Sequence, residues 1–163
     1  MAAFGVYHAW ALDFLIGDAP DRIQGAIVTG RLLPIMGVTP LVCRVLPPEY
    51  TVLAGAAVVL LSHTFCKQRF AADSDIRGTT LSMSGTPATV VGIMPEGFRL
   101  PSIDAEYWVP HRVVSPETAA ARGVHFLISV GRLREGVALE QAQADMEVIA
   151  SRLEALYPEE NTD

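Results

Sequence analysis

The residues of this chain whose types could do chemistry are four histidines, two cysteines and a few carboxylates. His8, His63, His111 and His125 show no His-x-His or His-x-x-x-His spacing. A zinc site usually announces itself with at least one such local pair of ligands. Ser62 and His63 are adjacent, but neighbours at a helix start do not face each other as nucleophile and base must. No Gly-x-Ser-x-Gly elbow accompanies them. Asp104 and Glu106 stand just before Tyr107-Trp108, and a carboxylate pair beside an aromatic could serve glycoside hydrolysis. The plainer reading is a pair of solvated loop acids beside a core tryptophan. Asp73 and Asp75 flank a turn in the same way. The lone Lys67 is followed by Gln68, so no P-loop is present. Cys43 and Cys66 lack a CxxC spacing and read as two small buried residues. A disulfide between them would further need a suitable Cα separation. The expectation is a chain with no catalytic, cofactor-binding or metal-ligating residue.

Composition narrows the classes further. The 163 residues suit one domain, or two small interlocked subdomains, with chain enough for a real core. Half are hydrophobic and the mean hydropathy is +0.32, which excludes a disordered chain. The net charge is −6, and the cations, Lys67 and single arginines from Arg22 to Arg152, are scattered. A protein that tracks phosphates gathers its cations on one stripe, so nucleic acid is not an expected partner. The strongest apolar run, Val52 to Leu61, is about half the ~20 residues a spanning helix needs. The N-terminal segment is apolar, but no basic residue precedes its apolar part and His8 and Asp13 interrupt it. It reads as neither a signal peptide nor an anchor.

The elements that would hold these residues follow from periodicity. Residues 23–30 read as a strand, Leu32 to Val38 as a short helix or turn, and Val42 to Tyr50 as a connection around Pro47-Pro48. Ala56 to Leu61 is a fully buried strand, and Ser62 is placed to cap a helix through Phe70. Thr80 to Met94 reads as a hairpin turned at Ser84-Gly85, with Pro87 at an edge or before the ladder begins. The strand then runs into the Met94-Pro95-Glu96-Gly97 turn, a scaffold phrase with no residue suited to chemistry. Residues 111–124 form a surface excursion, and His125 to Leu133 another strand turned by Glu135-Gly136. Leu139, Ala142, Met146, Ile149, Leu153 and Leu156 recur at steps of three and four, one apolar stripe on a helix reaching Tyr157. Pro158 stops it, and Ala138 at its start has no side-chain oxygen for the first amides. Hairpins mixed with crossovers predict an α+β fold, a mixed β-sheet with helices on one face.

Taken in order, several phrases resemble the MacB-like periplasmic core domain of FtsX-like ABC transporter permeases. They are Leu32 to Pro40 with Arg44, Val58 to Ser62, Gln68 to Phe70, Asp73, Gly78 to Leu81 and Gly85 to Pro87. The series continues with Thr89 to Pro101, Tyr107 to Pro110, His125 to Gln143, and Tyr157-Pro158 with Asn161. Each phrase is short, but the ordered series covers most of the chain. Cys43 and Cys66 stand where the family usually has Gly and Trp, and Ala138 replaces its usual capping Ser.

The resemblance implies a non-catalytic domain on the outer, periplasmic side of the bacterial cytoplasmic membrane. It implies a porter-like subdomain, at about 1–46 and 124–163, with a sabre-like subdomain inserted at about 47–123. The implied partners are the transmembrane part of the same permease and its cytoplasmic ATPase, which binds the ATP. A periplasmic adaptor, or a transported peptide, lipid or small molecule, would meet the domain outside, and the full transporter could be a homodimer. The resemblance implies no cofactor. It also makes this chain, which holds no spanning helix, a fragment of such a permease, an excised domain or a truncated gene product. The alternatives are a stand-alone extracytoplasmic binding or adaptor module and, less well supported, a hydrolase using Asp104 or Glu106.

Overall fold

A computed structural model describes residues 3–16, 19–40, 57–70, 76–111 and 125–161. Its strands are β1 (Ala3–Ile16), β2 (Ala19–Val28), β3 (Ala57–Leu61), β4 (Thr80–Met83), β5 (Thr86–Ile93), β6 (Tyr107–Pro110) and β7 (Ile128–Arg132). Its helices are α1 (Leu32–Ile35), α2 (His63–Arg69), α3 (Leu139–Leu156) and α4 (Pro158–Asn161). The expected α+β class with a mixed sheet is observed. The strand order is β2-β6-β3-β5-β4-β1-β7, and β1 also pairs with β2, so six strands close into a ring with β7 outside it. The β2–β6 and β3–β5 pairings are parallel and the others antiparallel.

Alternation along the strands builds two cores. Val59 and Leu61 of β3, with Phe14, Tyr107 and Phe65 of α2, belong to one. Val58 and Leu60, with Tyr7, Trp108 and Leu32 of α1, belong to the other. The two short helices therefore serve different cores. β3 is covered on both faces, which is why Val58 to Leu61 is a continuous apolar run rather than an alternating one. Burying each such side chain contributes about 1.5–3 kcal/mol.

β1 is the strand that periodicity did not announce. At 14 residues it is about 45 Å long. It pairs with β7 through Ala3–Tyr7, with β2 through Tyr7–Ile16 and with β4 through Phe14 and Leu15. Its apolar composition masked a strand that supplies Tyr7 to one core and Phe14 to the other. β6 was also read only as a phrase, because four residues are too few to show a period.

The expected placing of the helices on one face is not observed, because β3 buries alternate residues against α2 on one side and α1 on the other. The local expectations below hold with shifted ends. Ser62 caps α2 by accepting the Phe65 amide at 2.9 Å. Ser84 and Gly85 both take positive φ, 48° and 79°, the type I′ geometry that suits a two-residue hairpin. Pro87 pairs with Ser82 of β4, one residue before the β3 ladder begins at Ala88. The Val42–Tyr50 connection lies outside the described residues, as do Cys43, Asp73 and Asp75. So does the surface excursion, apart from His111.

Gly25 allows the closest packing in the ring. A Cβ there would lie 2.3 Å from the Tyr107 ring. That ring lies against Gly25 of β2, and its hydroxyl donates to the carbonyl of Trp10, the β1 residue opposite Gly25. α3 is the exception to the compact arrangement. It starts at Ala138 without a side-chain cap, and none of its residues is buried.

Candidate functional site

The parallel strands β3 and β5 end side by side, and β6 begins next to them running the other way. Their ends leave a cleft of about 340 Å³. It is lined by the start of α2 (Ser62, His63, Thr64), the turn after β5 (Pro95, Gly97, Phe98, Arg99) and the approach to β6 (Asp104, Ala105, Glu106). The Thr89–Pro101 phrase shapes this wall. Met94 is fully buried and its amide donates to the Leu61 carbonyl at 2.8 Å, which fixes where β5 stops. The Phe98 amide closes a turn on the Pro95 carbonyl at 3.1 Å, with Gly97 at φ 78°. Phe98 then stacks at a tilt on Trp108, ring centroids 5.3 Å apart.

The cleft gathers the residues with the strongest chemical candidacy, and their partners decide what they can do. The Ser62 hydroxyl is engaged as the α2 cap, and its amide donates to the Glu106 carbonyl at 2.8 Å. His63 Nδ1 faces Glu96 at 3.9 Å, and no hydrogen bond joins it to Ser62 among the described residues. Asp104 is exposed and accepts from Arg99 Nη1 at 2.7 Å. Glu106 is half-buried. Burial raises its carboxyl pKa, Arg69 opposes that shift, and Asp104 and Asp21 reinforce it. The two carboxylates do reach one cleft, but one is tied to a cation and the other sits beside the Asp21–Arg69 ion pair. This arrangement suits reversible polar contact better than glycoside hydrolysis, which needs two carboxyls flanking a bond.

A second cluster was invisible in the sequence. His8, on β1, is buried and meets three rings edge-on: Trp10 at 5.7 Å, His111 at 6.2 Å and Phe126 at 5.0 Å. Burial lowers its pKa, a contact between Nδ1 and the Ala9 carbonyl opposes the shift, and the charge of His111 adds to it. The only signal was the alternation of Phe4, Val6, His8 and Trp10. His125 is exposed. Among the described residues no group of three His, Cys, Asp or Glu could hold a metal ion. Cys66 is buried in the core around Phe14.

The fold agrees with the comparisons to known proteins. Residues 14–149, well over half of the chain, match the model of the MacB-like periplasmic core domain. The chain belongs to this family. Three solved structures share the fold. The periplasmic region of MacB from Actinobacillus actinomycetemcomitans superposes with a TM-score of 0.68 at 13% identity, covering 98% of this chain and 69% of that one. A domain of a putative permease from Porphyromonas gingivalis gives 0.68 at 17% identity, over 92% and 69%. The extracellular domain of the noncanonic ABC-type transporter YknZ from Gram-positive bacteria gives 0.67 at 14%, over 95% and 75%. No curated protein matches the chain significantly. The chain is therefore an extracytoplasmic domain of the MacB-like ABC transporter permease family, on the periplasmic side of the membrane. Among the described residues no helix is long and apolar enough to cross a membrane.

Proposed function

We propose that this domain is a non-catalytic coupling element, passing ATP-driven motion of its permease to an adaptor or transported molecule outside the membrane. The observation that carries this reading is β1. One unbroken strand hydrogen-bonds to β7, β2 and β4 and places a large aromatic in each core. A displacement at the Ala3 end reaches the Leu15 end without crossing a loop. Packed cores and ladders transmit such displacements because they are not continuously deformable.

The division proposed for the domain is a porter-like part at about 1–46 and 124–163 and an inserted sabre-like part at about 47–123. β1 and β2 of the first part pair with β4 and β6 of the second. The ring is thus a joint between the two parts. The transmembrane region and its ATPase would act on the first part, and an adaptor or cargo would meet the second. The cleft at Ser62–Glu106 belongs to the second part and offers reversible polar contacts for such a partner.

The experiment uses the parent permease. A two-glycine insertion after Trp10 should interrupt the β1 lever, abolishing transport while ATP hydrolysis continues. The double variant Asp104→Asn/Glu106→Gln should hydrolyse ATP as the parent does but transport less well, because it weakens the partner contacts of the cleft. Transport that survives the insertion contradicts the coupling role. A chemical activity of the purified domain that is lost in the double variant would replace it with the hydrolase reading.

A further inference from the structure

The charges of the cleft beyond β3 and β5 do not balance among the described residues. Its cationic groups are already committed. Arg99 is held by Asp104 at 2.7 Å, Arg69 by Asp21, and His63 Nδ1 faces Glu96 at 3.9 Å. The Phe65 amide at the start of α2 is taken by the Ser62 hydroxyl. Glu106 is left over. Its side chain lines the cleft, is half-buried, and makes no hydrogen bond or ion pair among the described residues. The backbone there is fixed on both sides: the Glu106 amide donates to the Gln24 carbonyl at 2.9 Å, and its carbonyl accepts from the Ser62 amide at 2.8 Å. After burial itself, the charges acting on this carboxyl are Arg69 on one side and Asp104 and Asp21 on the other. A partly buried carboxylate in such surroundings costs free energy that an arriving cation recovers.

We propose that the cleft binds a guanidinium group on an apolar stem, the chemistry of an arginine side chain, with Glu106 as its carboxylate and Phe98 as the ring it stacks on. The cleft volume of about 340 Å³ lies at the low end of ligand pockets, which span about 300–1,000 Å³, so it suits one side chain or a small molecule. Phe98 lines the cleft and is held in place by Trp108. A planar guanidinium stacks on such a ring and presents parallel N–H groups to both oxygens of a carboxylate, which an ammonium cannot do. Pro95, Phe98 and Ala105 supply apolar wall for the methylene stem. The crevice also lies beyond the carboxyl ends of the parallel pair β3 and β5, a recurrent place for ligands. This rests on the contact role given to the cleft above and names the chemistry of what it contacts. Two sources carry that group, an arginine of a protein partner and a free guanidinium compound.

Amide NMR titrations of the isotope-labelled 163-residue chain test the site. Acetyl-arginine amide should bind in the millimolar range or tighter, shifting the amides of His63, Thr64, Gly97 to Arg99 and Ala105 to Glu106. Acetyl-citrulline amide, equal in shape but uncharged, should not bind. Glu106→Gln should weaken the arginine probe by about tenfold or more, as loss of a charged hydrogen bond does. Arg69→Gln should act oppositely, tightening it about two- to threefold by removing a competing cation. Both side chains are partly exposed, so both variants should keep the parent's dispersed amide spectrum. Tighter binding of acetyl-Gly-Arg-Gly amide than of agmatine upholds the site and assigns it to a protein partner. The reverse order upholds it and assigns it to a free guanidinium compound. Equal binding of the citrulline probe, an unchanged constant in Glu106→Gln, or shifts confined to other residues overturns the inference. So does the absence of any shift at tens of millimolar probe. A failed titration leaves the coupling role standing, and transport that survives the β1 insertion leaves the guanidinium site standing.

Discussion

β3 and α3 are both apolar segments that the sequence announces, and the molecule treats them in opposite ways. Val58 to Leu61 is covered on both faces by the ring and its two helices. The α3 stripe is as regular, yet no residue of the helix is buried. The comparison teaches that apolar periodicity specifies a face to be covered without specifying what covers it. In β3 the cover is supplied by neighbouring strands whose register is set by hydrogen bonds. In α3 the described residues supply no such cover.

Substitutions can break or sharpen this contrast. Trp108→Ala should have the largest effect, about 3–5 kcal/mol lost in urea unfolding, as for other large core truncations. Leu153→Ala on α3 should cost less than about 0.5 kcal/mol in dilute chain, as exposed substitutions do. Equal losses at the two positions would erase the contrast. Gly25→Ala should cost about 1–3 kcal/mol, because the added methyl meets the Tyr107 ring at 2.3 Å. The caps divide in the same sense. Ser62→Ala should destabilise by about 1 kcal/mol, whereas Ala138→Ser should stabilise α3 by up to a similar amount, read by helicity.

The smallest effect expected is in the pH dependence. The folded pKa of His8 lies below its ordinary value of 6.5, so the unfolded chain binds the proton more readily. The contribution of neutral His8 is therefore fully present above pH 6.5. It is lost as pH falls through 6.5 toward the lower folded value. His8→Phe should flatten the unfolding midpoint over that window, and a slope unchanged from the parent would place the titration elsewhere.

Legibility followed the strength of the local signal. The Ser84-Gly85 turn, the Ser62 cap and the α3 stripe were readable because each rests on residues within one turn or one helix. The Thr89–Pro101 phrase was legible as scaffold and shapes the wall of the cleft. β1 was not legible, since a strand whose two ends serve different cores alternates imperfectly. Its burial pattern changes phase between Tyr7 and His8. The His8 cluster was hidden for a related reason: His111 and Phe126 reach it from far along the chain. That Asp104 and Glu106 share a cleft with Ser62 and His63 required the β3–β5–β6 register, which no local pattern encodes.

Amide hydrogen exchange of the whole chain tests most directly whether β1 is one rigid lever through both cores. The account predicts that β1 amides from Gly5 to Leu15 exchange with the same opening free energy as those of β3 and β5. They should behave as one cooperative unit. A β1 whose Ala3–Tyr7 half opens together with β7 while the remainder stays protected would contradict it.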